Sequence, residues 1–374
     1  HKGRHEAFIA ARDFFYKGEI AEKMVKFSKE QGAFLSMRDM EEFHVQIEEP
    51  VRISYKEYEV YSCGPWCQGP VVPQTLKLLE EIDLKSMEHN STEYIHTVTE
   101  ALKLVFADRE KYYGDPEFVR VPIKGLMSKE YARERQKQIH PNSAWPEMPP
   151  FGNPWVHEGI GTAEHRAAAS PISGPAGDSE PDTSYVCAVD KDGNAFSATP
   201  SDSYSNTPVV PGTGLVISPR GSQTWLDPDH ASGLKPWKRP RLTPNPAMVL
   251  KNGKLFMPFG TPGGDTQCQS MVQMFLNIIE FGMTPQEAIE APRFMSHSFP
   301  NSFWPHRYNP GRLDIESRIP ERVRAALQEK GHKVEERGLW SRGMSGLCAI
   351  TYDPQTGVMT GGADPRREGY VVGW

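Results

Sequence analysis

A mixed α/β fold with antiparallel hairpins is what this sequence predicts. Apolar residues at helical spacing dominate the first 140 residues. An Asp-Gly turn between alternating segments follows residue 183, and helical and strand-like stretches then interleave to the C-terminus.

Residues 7–15 and 19–30 carry apolar side chains on one helical face, with Gly32 as the stop. Residues 52–61 alternate as a strand pair. Asn90 and Glu93 have the spacing of a capping box, opening a helix with Tyr94, Val98, Leu102 and Val105 on one face. Residues 269–281 read as a buried helix. Thr284-Pro285-Gln286-Glu287 is a helix start, and residues 319–329 form a further helix ended by Gly331. Strands fill 346–352 and flank the Asp353-Pro354 turn.

Between residues 141 and 181 the texture changes: eight prolines and little periodicity mark a functional or mobile loop. It ends at Asp182-Thr183, where strand-like sequence resumes. Residues 184–190 and 195–199 flank Lys191-Asp192-Gly193-Asn194. A two-residue turn at Asp192-Gly193 would set Thr183 opposite Asp202, and a one-residue bulge would set it opposite Ser201. In either register the threonine lies beside Ser201-Asp202-Ser203.

Composition narrows the function. The 374 residues carry a net charge of -6 and no long run of Lys or Arg, which argues against nucleic acid or anionic membrane as partner. The longest apolar stretch, 271–279, is too short to span a bilayer, so no membrane insertion is expected. Cys63, Cys67, Cys187, Cys268 and Cys348 are scattered and read as packing thiols. His157, His165, His230 and His297 show no metal-ligand spacing, so no metal is expected.

Several short motifs occur in a telling order. Asp182-Thr183-Ser184-Tyr185 is followed by Val189-Asp190-Lys191-Asp192-Gly193-Asn194-Ala195 and Pro211-Gly212-Thr213-Gly214. Lys238-Arg239-Pro240, Pro262-Gly263-Gly264, Glu280-Phe281-Gly282-Met283 and Ala291-Pro292-Arg293-Phe294 complete the series, and Ala107-Asp108-Arg109 lies upstream. In order and spacing the chain resembles the γ-glutamyltranspeptidase family of N-terminal-nucleophile hydrolases over nearly its whole length.

That resemblance implies a four-layer αββα sandwich, two antiparallel sheets between helical layers. It implies a large-subunit segment over residues 1–182, without the family's N-terminal portion and ending in the 141–182 loop, and a small subunit over residues 183–374. Thr183 would be both the cleavage site, at the Asp182–Thr183 bond, and the catalytic nucleophile. The expected partners are a small-molecule amide and the two fragments of one precursor, and no cofactor is needed. The chemistry suits the residues. A threonine hydroxyl needs a neighbouring base, and cleavage before Thr183 frees an α-amine of pKa roughly 7.7–8.0 on the same residue. Two glycines, Gly263 and Gly264, allow backbone N–H groups to converge on one oxygen. Ser201 falls where the family has a hydroxyl that bonds the nucleophile. Ser203 stands where an asparagine is usual.

Specificity is where the sequence departs from the family. The loop 217–225, which carries acids in typical transpeptidases, holds Arg220 and Ser222 and no acid before Asp227. Leu242-Thr243 replaces the usual serine pair. With Arg220, Ser222 and Thr243 as substrate contacts alongside Ser203, the expectation is an amide hydrolase or acyltransferase favouring acyl groups without an α-amino group. A true γ-glutamyltranspeptidase and a non-catalytic binding protein of the same fold are the alternatives.

Overall fold

The structure, a computed structural model, describes residues 3–159, 183–202 and 207–374. The chain forms two compact units: residues 1–48 with 202–219, and residues 49–201 with 220–374.

In the first unit, helices α1 (Arg4–Tyr16), α2 (Glu19–Glu30) and α3 (Met37–Glu42) close a small core. Ala21, Val25 and Met40 are buried there, with Phe15 and Leu35 packed against them. Ser36 caps α3 through the Asp39 amide, and Asp39 returns the bond.

The second unit is built on strands β1 (Val51–Tyr55) and β2 (Tyr58–Ser62), helices α4 (Val71–Leu79), α5 (Thr92–Tyr112), α6 (Ile123–Leu126) and α7 (Lys129–Gln136), and the hairpin β3 (Val186–Val189) and β4 (Ala195–Ala198). Strands β5 (Ala247–Lys251) and β6 (Lys254–Gly260), helices α8 (Thr266–Ile279) and α9 (Pro285–Glu290), and strands β7 (Phe294–Ser296) and β8 (Arg312–Glu316) follow. Helix α10 (Glu321–Glu329) and strands β9 (Lys333–Arg337), β10 (Cys348–Tyr352) and β11 (Met359–Ala363) complete it. A six-stranded antiparallel sheet runs β1-β2-β5-β6-β10-β11.

Alternation along β6 separates the layers. Met257 and Phe259 join the core against α8, where Phe275 also meets Tyr55 of β1. Gly260, the next residue, points the other way, where a side chain would strike the Tyr185 ring. The β3–β4 hairpin, led by Tyr185, therefore packs on the face away from α8. Helices, sheet and hairpin form three successive layers among the described residues. The hairpin's outer face is exposed at Val186 and Phe196. One element departs from the expected pair of antiparallel sheets: β7-β8-β9 form a third sheet in which β8 and β9 run parallel.

One local expectation is corrected and one is narrowed. Ser91, not Asn90, caps α5, accepting from the Tyr94 amide; Asn90 adopts φ 55° and donates to the Pro292 carbonyl instead. The hairpin loop has three residues rather than two, which selects the register opposite Ser201 from the two the sequence leaves open. Asp190 pairs with Asn194, so Val186 faces Ala198 and Val189 faces Ala195. Asp190 receives the amides of Asp192 and Asn194, and Gly193 takes φ 79° to close the turn. Helices α2, α8 and α10, the capped start of α9 and the strand pair β1–β2 stand where the sequence puts them. None of the five cysteines is in a disulfide.

Helix α5 carries a buried polar ladder of His96, Glu100 and Lys103. His96 Nε2 is 2.8 Å from the His140 carbonyl oxygen, to which it donates. Its Nδ1 then accepts from His332 Nε2, 2.9 Å away. Glu100 lies within metal-ligand reach of both rings, but the Lys103 ammonium is 2.7 Å from its Oε1 and neutralises it. Burial drives His332 down to about 2 and lowers His96 as well. A histidine neutral when folded but titrating near ~6.5 when unfolded stabilises the protein above that pH, and the contribution is lost as pH falls below it. The thermal midpoint should therefore drop between pH 7 and pH 5, at up to about 1.4 kcal/mol per pH unit for each such side chain. Calorimetry of wild type and His332→Gln checks this: the wild-type slope should be the steeper. Equal slopes would remove the histidine as the cause.

Candidate active site

Thr183 enters β3 from the Pro/Gly-rich stretch. The Ser184 amide donates to the Pro200 carbonyl at 2.9 Å, extending the hairpin ladder beyond its last named pair. The three-residue loop thus aligns Thr183 with Ser201, eighteen residues on, and their hydroxyl oxygens are 2.7 Å apart. Thr183 is buried, at 6% exposure. Asp202 is exposed, while Asp182 and Ser203 lie outside the described residues.

A buried guanidinium backs this pair. Arg220, from a 3-10 turn over Pro219–Gln223, donates through Nη2 to the Ser201 hydroxyl and through Nη1 to Thr243 Oγ1 at 3.4 Å. Its guanidinium carbon lies 5.2 Å from the centre of the Phe303 ring. Thr243 is fully buried and also accepts from Gln223, so it braces Arg220 from within the protein. Ser222 is half-buried, and its carbonyl receives the Trp304 amide.

Gly263 and Gly264 follow β6 with φ of 130° and 56°, values that favour glycine. A Cβ on Gly263 would lie 2.5 Å from Thr266 Oγ1 and 2.7 Å from Ser345 Oγ, so the loop closes only without one. Their carbonyls accept from the Thr266 and Gln267 amides at the start of α8. Among the described residues neither glycine amide N–H has an acceptor. Gln68 links the two halves of the site: its Nε2 donates to the carbonyls of Gly264, at 2.8 Å, and Thr243, at 2.7 Å.

Beneath the glycines lies a buried ionic knot. Arg109 of α5 donates to Asp265 and to Gln68 Oε1 and pairs with Glu110, which also meets Arg241. Asp265 further accepts the Ser302 amide and hydroxyl. Burial by itself would raise the Asp265 carboxyl. The Arg109 charge and the Ser302 bonds outweigh it and hold the group below the usual carboxylate range.

Four residues singled out by sequence, Thr183, Ser201, Arg220 and Thr243, thus form one bonded cluster, joined through Gln68 to Gly264. Gln68, Asp265 and Phe303 carry no such signal in the sequence. Arg109 belongs to one of the short motifs, but nothing in sequence announces its partner 156 residues away. The position of Asp265, directly after the glycine pair, is the available hint.

Comparison with known proteins fits this geometry. Residues 9–374 match the sequence model of the family described as gamma-glutamyltranspeptidase. The chain is 32% identical over 364 residues to the glutathione hydrolase-like YwrD proenzyme of Bacillus subtilis, covering 97% of itself and 63% of that protein. It is 31% identical to the acylase ACY 1 proenzyme of Pseudomonas sp., covering 96% of itself and 58% of that protein. Among solved structures, LmbA2991HD superposes with TM-score 0.87 at 34% identity, over 98% of this chain and 64% of that one. Cephalosporin acylase from Bacillus halodurans gives TM-score 0.81 at 31% identity, over 97% and 60%. The chain spans about three fifths of the length of these relatives. With a hairpin-borne threonine, a paired glycine loop and a match running from residue 9 to the end, this chain belongs to the γ-glutamyltranspeptidase family and has its N-terminal-nucleophile hydrolase fold.

Proposed function

We propose that the chain belongs to a self-processing amide hydrolase or acyltransferase that works through an acyl ester on Thr183. The observation that carries this reading is the 2.7 Å contact between the Thr183 and Ser201 hydroxyls, backed by Arg220. Arg220 donates to the Ser201 oxygen, which leaves the Ser201 proton free to point at Thr183 Oγ1 and orient its lone pairs. The corresponding fragments are a large-subunit segment, residues 1–182, and a small subunit, residues 183–374.

In processing, Thr183 Oγ1 attacks the Asp182 carbonyl carbon. The peptide C–N bond breaks as its nitrogen takes the hydroxyl proton, so an ester to Thr183 forms and the Thr183 α-amine is freed; water then hydrolyses the ester, restoring the Thr183 hydroxyl and leaving a carboxylate on Asp182. In turnover that amine takes the hydroxyl proton as Oγ1 attacks the substrate amide. The amides of Gly263 and Gly264 receive the developing oxyanion. Collapse expels the amine half of the substrate, which gains a proton, and water or an acceptor amine releases the acyl group.

The acyl group we infer is one without an α-amino substituent. The segment 217–225 offers Arg220 and Ser222 where an ammonium would need an anion. The nearest acid in sequence, Asp227, lies two residues beyond this segment and accepts the Asp229 amide through Oδ1 at 2.9 Å. A buried ammonium without a counter-charge loses several kcal/mol, roughly 10²-fold or more in selectivity. Two of the similar proteins are acylases by name, which agrees with this reading.

Three measurements test it. Intact mass and N-terminal sequencing should find a fragment beginning Thr-Ser-Tyr-Val, whereas Thr183→Ala should stay a single inactive chain. An active protein with an unbroken 182–183 bond would refute the processing step. Gly264→Val, strained at φ 56°, should lower kcat by about 10²-fold or more in protein that still folds, as judged by circular dichroism. Unchanged kcat would remove the glycines from the reaction. Finally, kcat/KM should be higher for glutaryl-p-nitroanilide than for γ-glutamyl-p-nitroanilide. The opposite preference would overturn the acyl assignment and leave the Thr183 mechanism standing.

A further inference from the structure

One residue beside the glycine loop holds a backbone conformation that its side chain disfavours. Ser345 is fully buried, between a 3-10 turn over Arg342–Met344 and β10, with φ 77° and ψ -172°. That region belongs almost wholly to glycine, and strain of this kind persists only where the surroundings impose it. Here they do. The Met344 carbonyl before it accepts from the buried Arg293 Nη1 at 2.6 Å and from Ser270 Oγ at 3.3 Å. The Gly346 amide after it donates to Thr261 Oγ1 at 2.8 Å. Two hydroxyl relays start from this turn. The Thr266 hydroxyl donates its one proton to the Gly263 carbonyl at 2.8 Å, so Ser345 Oγ, 2.6 Å away, is the donor between them. Thr261, having received the Gly346 amide, donates its own proton to the Pro262 carbonyl at 2.8 Å. Both relays thus end on a carbonyl of the glycine loop. The peptide units that follow these carbonyls are trans, so each C=O points opposite to the next N–H. Fixing the Pro262 carbonyl therefore aims the Gly263 amide, and fixing the Gly263 carbonyl aims the Gly264 amide.

We propose that the Ser345-Gly346 turn is the positioning element of the oxyanion site, acting through Thr266 and Thr261 on the two glycine amides. The inference rests on the proposed role of Gly263 and Gly264 in turnover. Neither Ser345 nor the two threonines needs to touch substrate; they set the directions from which its oxygen is met. Donors that are already oriented when charge develops need no reorganisation at that moment. A glycine at position 345 would relax the backbone but supply no hydroxyl, and it would let the turn rotate. The serine keeps the aim although it lowers local stability, a compromise typical of functional sites.

Ser345→Gly is the direct test, since glycine suits the conformation and leaves the Thr266 proton on its carbonyl. Calorimetry should give a Tm equal to or above wild type. At the same time kcat should fall about tenfold or more while KM stays near wild type. The substrate is whichever of the two p-nitroanilides named above is turned over faster, and intact mass fixes the processed fraction to which kcat is referred. Thr266→Val should lose a similar factor in kcat, and Thr266→Ser should restore it. Adding Ser345→Gly to Thr266→Val should lower kcat little further, because both act on one carbonyl. A Tm that falls together with kcat in Ser345→Gly, or a Thr266→Ser variant as slow as Thr266→Val, would make these residues structural and overturn the proposal. Wild-type kcat in Ser345→Gly beside a slow Gly264→Val would also overturn it, and would leave the oxyanion reading standing. Wild-type kcat in both would remove the oxyanion reading as well.

Discussion

The ion pair between Arg109 and Asp265 is the constraint on which the rest of the site depends. Both groups are buried, and neither could be taken from water alone without a cost of several kcal/mol. Their carboxylate–guanidinium contact, with Glu110, Ser302 and Gln68 filling the remaining valences, makes that burial tolerable. Because Asp265 directly follows Gly264, whatever fixes Asp265 fixes the glycine amides. Helix α5, the longest among the described residues, thereby sets the orientation of a loop more than 150 residues downstream. Loss of either partner would strand the other charge in the core.

The nucleophile end of the site is held by a different kind of constraint. Thr183 and Ser201 meet because a β-ladder counts residues from a three-residue loop, not because either side chain finds the other by its chemistry. Arg220 and Thr243 then add direction to a contact that backbone pairing has already made. Gln68 joins the two constraints, since one amide group touches both the Gly264 carbonyl and the carbonyl of Thr243. Hydrogen-bond geometry is local and steep, so a site assembled from such links tolerates little drift in any of them.

Much of this is legible in sequence because it is written in local chemistry. The capped start at Thr284, the Gly32 stop and the Asp-Gly turn each signal their structure within a few residues. Of the two hairpin registers the sequence leaves open, the one opposite Ser201 is realised for a local reason too: Asp190 accepts two turn amides and so draws Asn194 opposite itself, lengthening the loop. Asn90 passes for the cap because Ser91, its neighbour, competes for the same role, and only the distant Pro292 carbonyl decides between them. The third sheet is hidden because a parallel pairing of β8 with β9 depends on the α10 crossover, not on any pattern inside the strands. Arg220 reads as a substrate contact. Its engagement with Ser201, Thr243 and Phe303 is tertiary, and composition cannot reveal it.

The seam between β2 and β5 has a consequence of its own. Strands β1 and β2 lie before residue 183, and β5, β6, β10 and β11 lie after it, yet they form one continuous sheet in which Tyr58 pairs with Lys251 and Ser62 with Ala247. A cut at the threonine would turn this sheet into a joint property of two polypeptides, an obligate heterodimer whose interface is a protein core. Each fragment alone would bare a hydrophobic strand edge, the kind of surface that recruits unintended partners. Maturation of such a molecule would gain a new chain terminus while giving up the independence of both pieces.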